Sequence, residues 1–216
     1  MARLPINIER VCLVFCNTNA FPSNASLISS IRIAKLGRWV NSEVFFIENP
    51  DVREFGDVLC HFSSYTTKEL FIYFAGNPIS QDYTGDKSIL KLRDGSISPD
   101  SFYSSINDKP NDLKIIIAFD GTNDPEKWNP ENYALTEPGV IFIAPYPDLS
   151  KAHLQQFDLK NESIFVYEMY LKLKSDPYTT GQDIQTHLQK ILLKFGQKVS
   201  CTSHPPELKN SAILVI

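Results

Sequence analysis

The chain has 216 residues, of which 43% are hydrophobic and 21% charged, with a formal net charge of −4. That is ordinary globular composition, and the length fits one large domain, residues 1–216, better than two. The acidic balance and the lack of any long basic run argue against nucleic acid as a main partner, because phosphate binding needs a basic surface. No stretch approaches the roughly 20 apolar residues of a membrane span. Met1 to Cys16 does not read as a signal peptide, since its apolar part, residues 11–16, is short and follows Glu9 and Arg10. Cysteines stand at 12, 16, 60 and 201 with no CxxC pair, a pattern that favours free thiols in a reducing compartment, the cytoplasm.

In chain order, residues 11–16 form a continuous apolar run, as expected of a parallel strand buried on both faces. Ser23 or Asn24 can then cap a helix with Leu27, Ile28, Ile31 and Ala34 as its inward face. Residues 43–47 read as a second strand. After the break at 49–51, Val52, Phe55, Leu59 and Phe62 give a second helical face. Residues 70–74 are a third buried strand, ending at Ala75-Gly76-Asn77-Pro78. Residues 88–93 with Asp94-Gly95 suggest a small hairpin, and Ser98-Pro99 opens a helix with Phe102 and Ile106 inward. Residues 115–119 are a fourth strand, stopped by Asp120-Gly121, and 122–138 reads as a surface loop. Residues 140–144 are a fifth strand. Helices are expected over 163–174 and about 180–195, the latter with Ile184, Leu188, Ile191, Leu192 and Phe195 on one face. The run from Ala212 to Ile216 is expected to be a sixth strand. Alternating elements of this kind predict a three-layer α/β sandwich, with a central six-stranded, mostly parallel sheet and helices on both faces. Ligands bind such sheets outside the carboxyl ends of the strands, so the ends of strands three and four are the places to search for chemistry.

Those two ends carry a resemblance. Tyr73-Phe74-Ala75-Gly76-Asn77-Pro78 resembles the Tyr-Phe-Ser-Gly-His-Gly type motif of the caspase-like cysteine peptidases, the clan of caspases, metacaspases and paracaspases. Ile117-Ala118-Phe119-Asp120-Gly121 stands where that clan has its Asp-Ala-Cys type motif. The order of the remaining elements, from the hairpin at 88–97 to the final strand sought in 206–216, is similar as well. The resemblance implies the clan's fold and places Asn77 at the catalytic His and Asp120 at the nucleophilic Cys. Pro78 then stands at the Gly whose backbone N–H serves the oxyanion.

Each substitution removes a chemical function. A cysteine peptidase needs a thiolate, a base beside it and donors for the tetrahedral oxyanion. An amide such as Asn77 has no proton to exchange near neutral pH. A carboxylate such as Asp120 is a poor substitute for a thiolate at a peptide carbonyl. Proline has no N–H to donate. The expectation is therefore a degenerate, catalytically inactive member of the clan, a pseudopeptidase acting through protein contacts. Its expected partner is an active caspase-like relative, or a second copy joined through the strand Ala212 to Ile216, whose edge would leave N–H and C=O groups unpaired.

Other features of the sequence offer alternatives. Cys16 ends strand one and could neighbour Asn77 and Asp120 in a vestigial cleft with Gly76 and Asp82. A divergent hydrolase using Cys16, or Asp120, as a relocated nucleophile is the second reading, set against a plain buried strand thiol. A small-ligand sensor using the old cleft is a third. Asp82 and Asp86 could face a basic group or simply be solvated loop charges. Cys60 and His61 are adjacent, hence about 100° apart on a helix and unsuited to one metal. His153, His187 and His204 show no HExxH spacing, and Asp120-Gly121-Thr122 lacks any accompanying GxxxxGK[ST] or GxGxxG. Neither a metal nor a cofactor is expected.

Overall fold

The computed structural model describes residues 8–16, 23–36, 39–75, 79–81, 88–107, 109, 112–120, 124–136, 138–148, 158–159 and 162–214. Six strands form the main sheet: β1 (Ile8–Cys16), β2 (Val44–Glu48), β3 (Thr66–Ala75), β7 (Lys114–Phe119), β8 (Gly139–Pro147) and β11 (Gln197–His204). Their order is β11-β8-β7-β3-β1-β2. All neighbours are parallel except β11, which runs antiparallel to β8. A three-stranded antiparallel sheet, β4 (Ile79–Gln81), β5 (Ser88–Lys91) and β6 (Ser96–Ile97), contains the expected hairpin. A short pair, β9 (Asp158–Leu159) and β10 (Glu162–Ser163), completes the strands.

The parallel strands are apolar on both faces because helices cover both. On one side lie α2 (Val52–Tyr65) and α3 (Pro99–Ile106), and Phe55, Leu59, Phe62, Phe102 and Ile106 fill a core with Leu13, Phe15, Ile72 and Phe74. Asp51 caps α2 by accepting from the Glu54 N–H at 2.7 Å, and Ser98 caps α3 ahead of Pro99. On the other side lie α1 (Ser23–Ile33), α4 (Ile164–Ser175) and α5 (Gly181–Leu192). Ile33, Phe165, Met169, Ile184 and Leu188 pack there against Val14, Phe71, Ile116 and Ile143. No helix among the described residues is long and apolar enough to cross a membrane.

Three expectations need correction. First, the apolar face chosen for α1 points outward: Leu27, Ile28 and Ile31 are 50%, 36% and 43% exposed, while Ser29, Ser30 and Ile33 are buried. Second, the stretch 122–138 is more than a surface loop. Two 3-10 turns, Glu126–Trp128 and Pro130–Asn132, carry Trp128 into the core, where it is fully buried. There it packs edge-on against Phe102 and Phe119 and stacks on Phe142.

Third, the sixth strand is β11, not 212–216. Pro206–Asn210 is a 3-10 turn, Ala212 forms an isolated bridge with Thr180, and Ile213 and Leu214 are buried beneath α4 and α5. Val215 and Ile216 lie outside the described residues. Ile213 and Leu214 are sealed into the core as irregular chain, not as strand. Their anchor is a charge cluster at the amino-terminal ends of the strands. Glu69 of β3 is wholly buried between Arg10 of β1 (3.6 Å) and Lys114 of β7 (3.3 Å), and Lys114 Nζ also donates to the Ala212 carbonyl at 2.9 Å.

Candidate functional site

At the carboxyl end of the sheet, Cys16 ends β1, Ala75 ends β3 and Asp120 follows the last residue of β7. Strand alternation turns Cys16, Tyr73 and Ala118 toward the helix layer of α1 and α4. The polar groups there close into a ring. Tyr73 Oη donates to Asp120 Oδ2 at 3.0 Å. Ser163 Oγ, at the start of α4, donates a short hydrogen bond to Asp120 Oδ1. The Ser163 backbone N–H donates to Ser29 Oγ at 3.1 Å, and the Ser29 hydroxyl in turn hydrogen-bonds Tyr73. The Asp120 N–H is held by the Phe74 carbonyl at 3.1 Å.

This ring fixes the carboxylate. Each oxygen of Asp120 already accepts from a hydroxyl whose own position is set by secondary structure: Tyr73 by β3, Ser163 as the N-cap of α4. Burial, then the neighbouring Asp120 charge, pushes the Tyr73 phenol well above its ordinary value of 10.0. It therefore remains a donor at any pH the fold tolerates. Turning either oxygen away from its hydroxyl would strand a group of the network, which costs about 1–3 kcal/mol.

Cys16 lies beside the ring and is only 5% exposed. Burial pushes its thiol up, the Ser30 hydroxyl lowers it and the Glu48 charge raises it again. A thiol raised in this way is poorly populated as thiolate, the nucleophilic form. The described histidines lie elsewhere: His61 stacks against Phe62 and Tyr65, His187 pairs with Glu168 at 3.3 Å, and His204 ends β11. Burial likewise raises Cys12 well above 9.0 and takes Cys201 to about 12. Cys60 is exposed. One thiol is thus expected to react with Ellman's reagent within minutes at pH 8, and Cys60→Ser should abolish that fast phase. A second fast thiol assigned to Cys16 by mass mapping would contradict the burial.

Of the residues singled out from the sequence, Asp120 and Cys16 sit at the carboxyl end of the sheet on one face. Gly76, Asn77, Pro78, Asp82, Asp86 and Gly121 lie outside the described residues, as does His153. Sequence reasoning missed Tyr73, Ser29, Ser30 and Ser163. A faint signal existed: a tyrosine in an otherwise aliphatic and phenylalanine strand needs a partner for its hydroxyl, and two serines inside a helix face need one too. Among the described residues no cluster of three or more His, Cys, Asp or Glu could hold a metal ion.

Comparison with known proteins bears on the fold. Caspase-1 from Spodoptera frugiperda superposes with a TM-score of 0.54 over 92% of this chain and 88% of its own, at 11% identity. The fold is caspase-like. The protein GSU0716 from Geobacter sulfurreducens superposes with a TM-score of 0.63 over 91% of this chain and 93% of its own, at 10% identity. No protein-family model and no curated protein matches the sequence. At such identities the likeness is one of fold, and the caspase-like sheet places Asp120 and Cys16 at its carboxyl end, where α/β sheets bind ligands.

Proposed function

We propose that this caspase-fold chain has no peptidase chemistry and acts by binding a protein partner in the cytoplasm, an active caspase-fold relative being the favoured class. The observation that carries the reading is the ring at Asp120. The residue in the nucleophile's place is a carboxylate with a hydroxyl donor on each oxygen, built into the join between β7 and α4 as a structural tie. Two further supports come from the sequence: Asn77 in place of a base, and Pro78 in place of an N–H donor, a loss that costs about 10²–10³ in rate where one oxyanion donor has been removed. The buried, raised thiol of Cys16 argues in the same direction against a relocated nucleophile.

The test is hydrolysis of a fluorogenic peptide library with acidic and basic residues before the scissile bond, with and without calcium. Wild type, Cys16→Ala and Asp120→Asn are run in parallel. No turnover above background is expected from any of the three. Turnover abolished by Cys16→Ala would overturn the reading and make Cys16 the nucleophile; turnover abolished only by Asp120→Asn would assign that role to the carboxylate.

A further inference from the structure

The outer face of the helix layer over α1 and α4 is apolar where a surface helix is ordinarily polar. Leu27, Ile28 and Ile31 of α1 and Leu171 of α4 are each between 36% and 50% exposed. They are not scattered. Arg32 of α1 lies over the rings of Tyr167 and Tyr170 of α4 at 4.9 and 5.0 Å, so the two helices stand side by side. One helical turn separates Leu27 from Ile31 and Tyr167 from Leu171. Aliphatic and aromatic side chains of both helices therefore share one surface, and contiguous patches of this kind mark interaction sites.

The cations of this face decide what it fits. Lys35 is exposed in the turn that follows α1, and Lys174 is exposed near the end of α4 with its Nζ over the Tyr170 ring at 5.6 Å. The two helices hold one carboxylate between them, Glu168, and it turns away to pair with His187 of α5 at 3.3 Å. A chain with a net charge of −4 thus presents an apolar face edged by positive charge. A second copy is a poor occupant, because a two-fold contact here sets the lysines of one copy against those of the other. A partner helix is a poor one too. It needs a groove for its apolar side chains, and Arg32 fills the seam between α1 and α4.

We propose that the α1–α4 face docks on the surface of an anionic lipid bilayer. A bilayer needs no groove. Leu27, Ile28, Ile31 and Leu171 enter the boundary between headgroups and acyl chains, as the apolar face of an interfacial helix does. Tyr167 suits the headgroup level, with an apolar ring and a polar tip. Lys35 and Lys174 reach the lipid phosphates while their own stems lie along the apolar surface. The negative charge of a cytoplasmic leaflet is the complement of this rim. Such docking lies on the membrane and requires no spanning helix. The inference is independent of whether the carboxyl-end site cuts peptides.

Co-sedimentation of the full chain with vesicles tests it. The protein should pellet with phosphatidylcholine vesicles that contain phosphatidylserine and not with phosphatidylcholine alone, and high salt should release it. Lys35→Glu with Lys174→Glu should weaken binding by roughly tenfold or more, and Leu27→Ser with Ile31→Ser should do the same. Arg53→Glu with Lys91→Glu makes an equal change of net charge on exposed residues across the sheet and should leave binding intact. Far-UV circular dichroism checks that each variant keeps its fold. Leu171→Trp reports position: brominated acyl chains should quench its fluorescence, while Trp39 and Trp128 are buried out of their reach. A wild type that ignores anionic vesicles overturns the proposal, and a dimer in sedimentation velocity that Leu27→Ser with Ile31→Ser dissociates would then give the face to a second copy. Binding that neutral vesicles match, or that the α1–α4 variants leave unchanged, overturns it equally.

Discussion

Trp128→Ala is expected to destabilise the protein by about 3–5 kcal/mol, the range for emptying a fully buried aromatic site. Trp128 reaches the core from a segment that would otherwise be a loop, and it touches aromatic side chains from three separate elements: Phe102 and Tyr103 of α3, Phe119 of β7 and Phe142 of β8. Its carbonyl accepts from the Tyr103 hydroxyl at 2.6 Å, so the backbone of the turn is tied to the helix that the side chain packs on. Urea unfolding followed by far-UV circular dichroism would read the effect. A loss below about 1 kcal/mol would mean that the segment can refill the space, and that the turn is not the plug it is taken to be.

Glu69→Gln should cost a comparable amount, about 3–5 kcal/mol, because it removes one partner of the buried ion pair with Lys114. Lys114 loses the Glu69 carboxylate at 3.3 Å, and it is already held below its ordinary 10.5 by burial, with Glu69 opposing that shift. The sign with pH follows. A lysine whose folded pKa lies below its unfolded value binds more protons when unfolded, so stability rises with pH through the interval between the two. Without Glu69 that interval widens downward from 10.5. The deficit of the variant relative to wild type should therefore shrink as pH rises from 7 toward 10. A deficit equal at every pH would point to packing and exclude stranded charge as the cause. Amide exchange at Ile213, whose N–H is held by the Thr179 carbonyl, should quicken in the same variant, since Lys114 tethers the adjacent Ala212.

The sequence announced most of the sheet because buried parallel strands are the least ambiguous signal a chain offers. Residues 11–16, 70–74, 115–119 and 140–144 are continuous apolar runs, and each lies inside a strand. Where reasoning from apolarity failed, a polar network or an antiparallel edge had displaced it. On α1 Leu27, Ile28 and Ile31 point out because Ser29 and Ser30 are needed inside, at Tyr73 and Cys16. The strand β11 reads Gln-Lys-Val-Ser-Cys-Thr-Ser-His, too polar to stand out, yet its small side chains suit an edge whose middle is capped by Gln185 and Gln189. The apolar 212–216 run attracted the strand assignment instead, although burial of Ile213 and Leu214 explains its composition without any pairing. At the site, Asp120 was legible as an altered position, but its hydroxyl partners come from β3 and the cap of α4, and Ser29 of α1 holds both of them. No local pattern could bring those together.

The antiparallel β11 also has a consequence for how the chain is made. Within the main sheet it follows β8 only after α4 and α5. While the ribosome completes those helices, β8 is the outer rim of a nearly finished sheet, apolar from Val140 to Ala144. The donors that this rim presents at its far end are Ala144 and Tyr146, because Pro145 and Pro147 turn their nitrogens toward β7. The same two prolines later lie opposite Val199 and Gln197, positions where β11 asks nothing of their nitrogens. The two prolines therefore cost the pairing with β11 no hydrogen bond, and the rim stays receptive along its length until β11 covers it.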